Sequence, residues 1–135
     1  MAVFQCVVPA GAVPRELRPR IASEFTRIHS ETTGAAPDFV QVLFLEMPVG
    51  SAFTAGEPSA MHNVTGYMRA GRSREMREQL YRQLHGAWTK ITGAPSANVK
   101  LTIYDVPTAW IMQDGRMMPE PKDDAEWLAR QSRPL

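Results

Sequence analysis

A single cysteine, Cys6, occurs in 135 residues. That excludes an intrachain disulfide framework and a multi-cysteine zinc site, and it points to a reducing, cytoplasmic setting. Aromatic residues make up only 8% of the chain, and the formal net charge is +1. Near-neutrality without stacking aromatics argues against a dedicated nucleic-acid binder. No apolar stretch approaches the roughly 18 residues of a membrane span, and the start lacks the charged and apolar regions of a secretory signal. Neither G-x-x-x-x-G-K-[ST] nor G-x-G-x-x-G occurs, and His29, His62 and His85 show no ligand spacing. No cofactor and no metal site are therefore expected. What the chain does contain is apolar bulk, 44% hydrophobic against 21% charged residues. That suffices for one domain over residues 1–135 and is too much for disorder. Twelve of its fifteen basic residues are arginine, the side chain suited to bidentate contact with carboxylate or phosphate.

Comparing the chain with itself reveals its organisation. Glu16 and Glu75 lie 59 positions apart, as do Pro48 and Pro107, and the intervening segments align without a gap. Arg15-Glu16-Leu17-Arg18 faces Arg74-Glu75-Met76-Arg77, and Thr33-Gly34-Ala35 faces Thr92-Gly93-Ala94. Val40, Val42, Phe44 and Glu46 face Val99, Leu101, Ile103 and Asp105. We read this as an internal duplication, with halves at about 2–48 and 61–107.

Each half reads as strand, helix, strand. Apolar runs at 2–8 and 63–68 suggest the opening strands. Pro14 suits a first helical turn, after which Leu17, Ile21, Phe25 and Ile28 recur at helical spacing until Gly34 and Pro37 stop it. In the second half Ser73 is the expected cap, Met76, Leu80, Leu84, Ala87, Trp88 and Ile91 form the stripe, and Gly93 ends it. Closing strands follow at 39–46 and 99–105. Crossover helices make each strand pair parallel, so two units predict an α/β fold: one four-stranded mixed sheet with both helices on one face. Residues 40–45 are apolar at nearly every position, as in strands covered on both faces. Only two long helices are present, so the second cover is expected from other copies of the chain. Residues 47–61 read as a connecting surface loop. Residues 108–135 read as an extended tail outside the repeat, turned at Asp114-Gly115 and anchored by Trp127.

The halves differ most where strand passes to helix. The first has Pro9-Ala10-Gly11-Ala12, the second Arg69-Ala70-Gly71-Arg72-Ser73. Two arginines at a helix start suit a carboxylate or small phosphate. The competing reading is a solvated arginine-rich turn, with Arg74 and Arg77 paired to Glu75 and Glu78. If the opening strands are antiparallel neighbours, the chain's α-amine lies beside Arg69 and Arg72. A cationic neighbourhood lowers the pKa of such an amine and equips it as a base near neutral pH. His29 borders the apolar stripe, where a structural role is the commoner outcome, and Cys6 reads as an inert buried thiol.

These features resemble the tautomerase superfamily, in particular its cis-3-chloroacrylic acid dehalogenase group. The most specific pieces are Gln41-Val42-x-Phe44-x-Glu46-x-Pro48-x-Gly50, Arg69-x-Gly71-Arg72-Ser73, and Gly115-Arg116 followed by Pro119. The resemblance implies trimers of fused β-α-β units. It also implies that Arg69 and Arg72 bind a substrate carboxylate while His29 assists binding or polarisation. Three positions depart from the family pattern. The catalytic N-terminal proline corresponds to Ala2, a substrate-placing tyrosine to Thr102, and the water-activating glutamate to Gln113, with Asp114 one residue away. A glutamine takes no proton, so dehalogenation or hydration is not expected. The implied function is a diverged, weakly active tautomerase acting on a small 2-keto, enol or unsaturated carboxylate. The alternative is a non-catalytic carboxylate-binding oligomer.

Overall fold

The computed structural model describes residues 1–131. Strand β1 (Ala2–Pro9) alternates, sending Ala2, Phe4, Cys6 and Val8 inward. Helix α1 (Arg18–Thr33) follows a short 3₁₀ turn at Arg15–Leu17, so Pro14 precedes that turn instead of opening the helix. Gly34 closes α1 at φ 79°, the left-handed geometry that a Cβ penalises. Strand β2 (Val40–Met47) leads through a small hairpin, β3 (Phe53–Thr54) and β4 (Glu57–Pro58), into β5 (His62–Arg69). Helix α2 (Arg74–Thr92) begins at Ser73, whose hydroxyl accepts from the Met76 N–H, and ends at Gly93 with φ 73°. Strand β6 (Val99–Val106) closes the second unit.

The sheet order is β2-β1-β5-β6, parallel within each unit and antiparallel between β1 and β5 at the centre. This is the mixed α/β sheet predicted from the repeat. Both helices cover one face, enclosing Phe4, Ile21, Phe25, Leu80, Leu84 and Trp88. Burying a side chain of this size contributes about 1.5–3 kcal/mol, so the amphipathic stripes drive the fold. The duplication reaches individual contacts: Arg18 pairs with Glu46 as Arg77 does with Asp105, and the Thr33 hydroxyl caps the Ala35 N–H as Thr92 caps Ala94.

Two expectations change. The repeat continues past residue 107, because a second hairpin, β7 (Met112–Gln113) and β8 (Arg116–Met117), lies 59 positions after the first. Both turns hold positive φ at matching places, Ala55-Gly56 and Asp114-Gly115, as a tight two-residue hairpin demands. The connection at 47–61 therefore contains ordered strand pairing. The tail is not merely extended either, for it ends in helix α3 (Asp124–Gln131). Trp127 anchors it, packing edge-on to Phe39 and donating from Nε1 to the Met117 carbonyl. Residues 132–135 lie outside the described chain.

Candidate active site

The site begins at the end of β5. Strand registry sets Ala2 beside Val40 and His62 beside Val99, so the opening strands are offset by one residue more than the helices are. The second strand-to-helix turn is correspondingly one residue shorter, and Arg69 stands where the first half has Pro9. Arg69 follows Tyr67 on the sheet face away from the helices, yet it is wholly buried. The tail covers it. Its Nη1 donates to Asp124 Oδ1 at 2.7 Å and to the Pro119 carbonyl at 2.8 Å, and its Nη2 donates to Asp124 Oδ2 at 2.8 Å. The guanidinium also lies over the Phe39 ring, 5.3 Å from its centre. Only Nε is left without a partner.

Around this pair the other groups gather. Ala2 lies opposite Met68 across the central strand pair, which brings the chain's start to the end of β5. The Met1 α-amine has its pKa lowered to about 5, first by burial, then by Arg69 and Arg72, with Asp124 opposing. His29 is buried against the Phe4 ring and its pKa falls to about 4, through burial first and then Arg72, the amine and Arg69. It is therefore neutral at pH 7, and neither ring nitrogen has a partner. The Arg72 guanidinium is held below its ordinary value by burial and by Arg69, with Asp124 and Asp105 opposing. Its Nε is likewise buried and unpartnered. Buried donors without acceptors are rare in folded proteins, because each loses its hydration uncompensated. Three such donors, Nε of Arg69, Nε of Arg72 and the one N–H of the neutral His29 ring, lie in one electrostatic neighbourhood and can receive a small anion.

The remaining sequence candidates separate. Gln113 lines a groove of about 440 Å³ together with Met1, Val3, Phe39 and Gln41. Asp114 sits in the adjoining turn at φ 55°. Thr102 faces Thr65, whereas Ala2 lies at the level of Met68 and Asp105. Three residues along the strands, roughly 10 Å, and two strand spacings across the sheet, roughly another 10 Å, separate Thr102 from Ala2 within one chain. Tyr67 is nearer. It stacks on Tyr104 at 5.5 Å and lines a second groove with Met1. The residues that sequence reasoning missed are Asp124 and Tyr67. Asp124 left no signal beyond being one acidic residue among several in the tail, and Tyr67 could have been found from its β5 alternation with Arg69.

Other predicted features fall outside the site. Burial pushes the Cys6 thiol up to about 12, so it stays protonated among core side chains. His62 accepts at Nδ1 from Trp88 Nε1 at 3.1 Å, a structural contact in the core. Arg74 pairs with Glu78, but Arg77 turns to Asp105 and the Ile103 carbonyl instead of the acids beside it. Among the described residues no cluster of three metal-ligating side chains occurs, and no helix is long and apolar enough to cross a membrane.

Comparison with known proteins decides the family. A family model described as "Putative oxalocrotonate tautomerase enzyme" matches residues 1–132. The chain belongs to this tautomerase family. Native Ps01740 has a crystal structure 33% identical to it, with a TM-score of 0.80, covering 82% of this chain and 99% of its own. The crystal structure of N1, a member of the cis-3-chloroacrylic acid dehalogenase family, is 24% identical with a TM-score of 0.89, covering 98% and 92%. An asymmetric trimer of a fused 4-OT shares the fold at 20% identity and a TM-score of 0.79, covering 85% and 94%. No functionally curated protein matches the sequence. Tautomerase membership thus agrees with the fold and with the duplicated β-α-β units.

Proposed function

We propose that this tautomerase-family chain binds a small 2-keto, enol or unsaturated carboxylate between Arg72, Arg69 and His29, and converts its enol form slowly. One observation supports the reading: His29, Arg69 and Arg72 each keep a buried nitrogen without a partner, and all three influence the depressed α-amine or one another electrostatically. A carboxylate would supply the missing acceptors to the arginines. The neutral amine would take the enol O–H proton and deliver it to the carbon as the keto group forms, while the neutral His29 imidazole donates a hydrogen bond to that oxygen. The weak activity follows from Ala2, since a primary amine replaces the ring-held secondary amine of a proline. In the test, Arg72→Ala should weaken binding of 2-oxobutanoate by about 1.5–3 kcal/mol, the cost of a charge-assisted contact. Calorimetry showing unchanged affinity would move the site elsewhere.

A second reading, a carboxylate-binding protein without catalysis, is favoured by Gln113. Its amide stands at the groove where a carboxylate would activate water, and it accepts no proton. Hydration and dehalogenation are not part of either reading.

Assembly belongs to the same proposal. On the sheet face away from the helices, Leu43, Leu45 and Tyr104 are 36%, 52% and 54% exposed. Exposed apolar residues on both edge strands, β2 and β6, call for partner surfaces, and relatives of the same fold are trimers. The chain should therefore run as a homotrimer in light scattering at micromolar concentration. A monomer there would overturn the assembly.

A further inference from the structure

We propose that Asp124 is an internal competitor for the carboxylate site. It occupies the fork of Arg69 in the resting chain, and an incoming small carboxylate displaces it together with α3. The inference rests on the carboxylate-binding reading above. Its starting point is the fit of the pair. Asp124 presents both oxygens to the two terminal nitrogens of Arg69, at 2.7 and 2.8 Å, and Pro119 completes the cage with a carbonyl. No donor is left there for a second bidentate anion. Nε of Arg69 and Nε of Arg72 remain unused, so a ligand meets a half-filled site.

Exchange is chemically balanced. A ligand carboxylate carries the same charge and the same two acceptors as Asp124, so Arg69 never stands unpaired in the bound state. Asp124, once released, regains water. A negative group is favoured at this place whichever carboxylate supplies it, because the charges of Arg69 and Arg72 both act on it.

The segment that bears Asp124 is packed apart from the main core, through a satellite cluster of Phe39, Ile111 and Met118, joined by Trp127 and Leu128. Few apolar side chains tie it down, so its local opening costs less than global unfolding. Opening would also uncover Met1, which packs on the same cluster. Release of Asp124 would then free the arginine and widen access to the amine in one motion.

The competitor has a measurable cost. When only a fraction of molecules holds Arg69 free, the apparent dissociation constant rises by the inverse of that fraction. Asp124→Asn keeps the volume and one acceptor but sets an amide N–H₂ against the second arginine nitrogen. Calorimetry with 2-oxobutanoate should therefore show binding at least about tenfold tighter in Asp124→Asn than in the unaltered chain. Equal or weaker binding in the variant, with clear binding by the unaltered chain, would make Asp124 a fixed support for Arg69 and overturn the competitor while leaving the site reading intact. No binding by either protein would overturn both. A measurement on the unaltered chain covers failure of the variant to fold. Saturating 2-oxobutanoate should speed hydrogen exchange of the α3 amides, and unchanged or slower exchange would overturn displacement.

Discussion

Replacing Arg69 with alanine is expected to lower stability by about 3–5 kcal/mol, the range for breaking one side of a buried ion pair. The size follows from what remains. Asp124 is only 7% exposed and would lose both hydrogen bonds to its carboxylate, while the Pro119 carbonyl would lose its donor and Phe39 its cation. Urea unfolding is the measurement. Asp124→Leu combined with Arg69→Met should recover most of the loss, because an apolar pair of similar volume carries no desolvation cost. A loss below about 1 kcal/mol in Arg69→Ala would place the pair in water, where exposed ion pairs contribute little. This result bears on binding studies as well. Any loss of ligand affinity in an Arg69 variant mixes a missing contact with a disturbed tail, which is why Arg72→Ala is the cleaner probe of the site.

Proline at position 2 should have the largest effect on catalysis. In chains whose intact mass shows Met1 removed, Ala2→Pro is expected to raise ketonisation of phenylenolpyruvate by about 100-fold or more, the usual worth of a well-placed general base. The first residue of a strand tolerates proline, so the sheet should survive. Acidity supplies a second readout. The α-amine is lowered from 8.0 to about 5 when Met1 is the first residue. In chains that retain Met1 the neutral form of this amine is the base, so their amine-dependent activity should rise with pH through about 5 and be level by pH 7. Failure of the proline variant to gain, while it still binds 2-oxobutanoate, would favour the non-catalytic reading. Hydration of a halogenated acrylate should stay absent in that variant until Gln113→Glu is added.

Sequence and structure divide this protein along a physical line. The duplication, the α/β class, the left-handed stops at Gly34 and Gly93 and the Ser73 cap follow from short-range rules. Periodicity, capping and backbone sterics act within a few residues and can be read directly. The arginine pair at 69 and 72 was legible for a similar reason, because it interrupts a repeat whose other half has none. The one-residue shortening of the second turn and the second hairpin were less visible, since weak strands leave little apolar pattern to align. Asp124 was not legible at all. It lies 55 residues from Arg69, and nothing local distinguishes it from Asp123 or Glu126. Which carboxylate meets a buried arginine depends on where the tail packs, and Phe39, Ile111 and Trp127 set that packing. The sequence alone determined that this chain carries an arginine-rich turn on a tautomerase-like duplicated sheet. Only the tertiary structure decided that one of those arginines is already holding a carboxylate of its own.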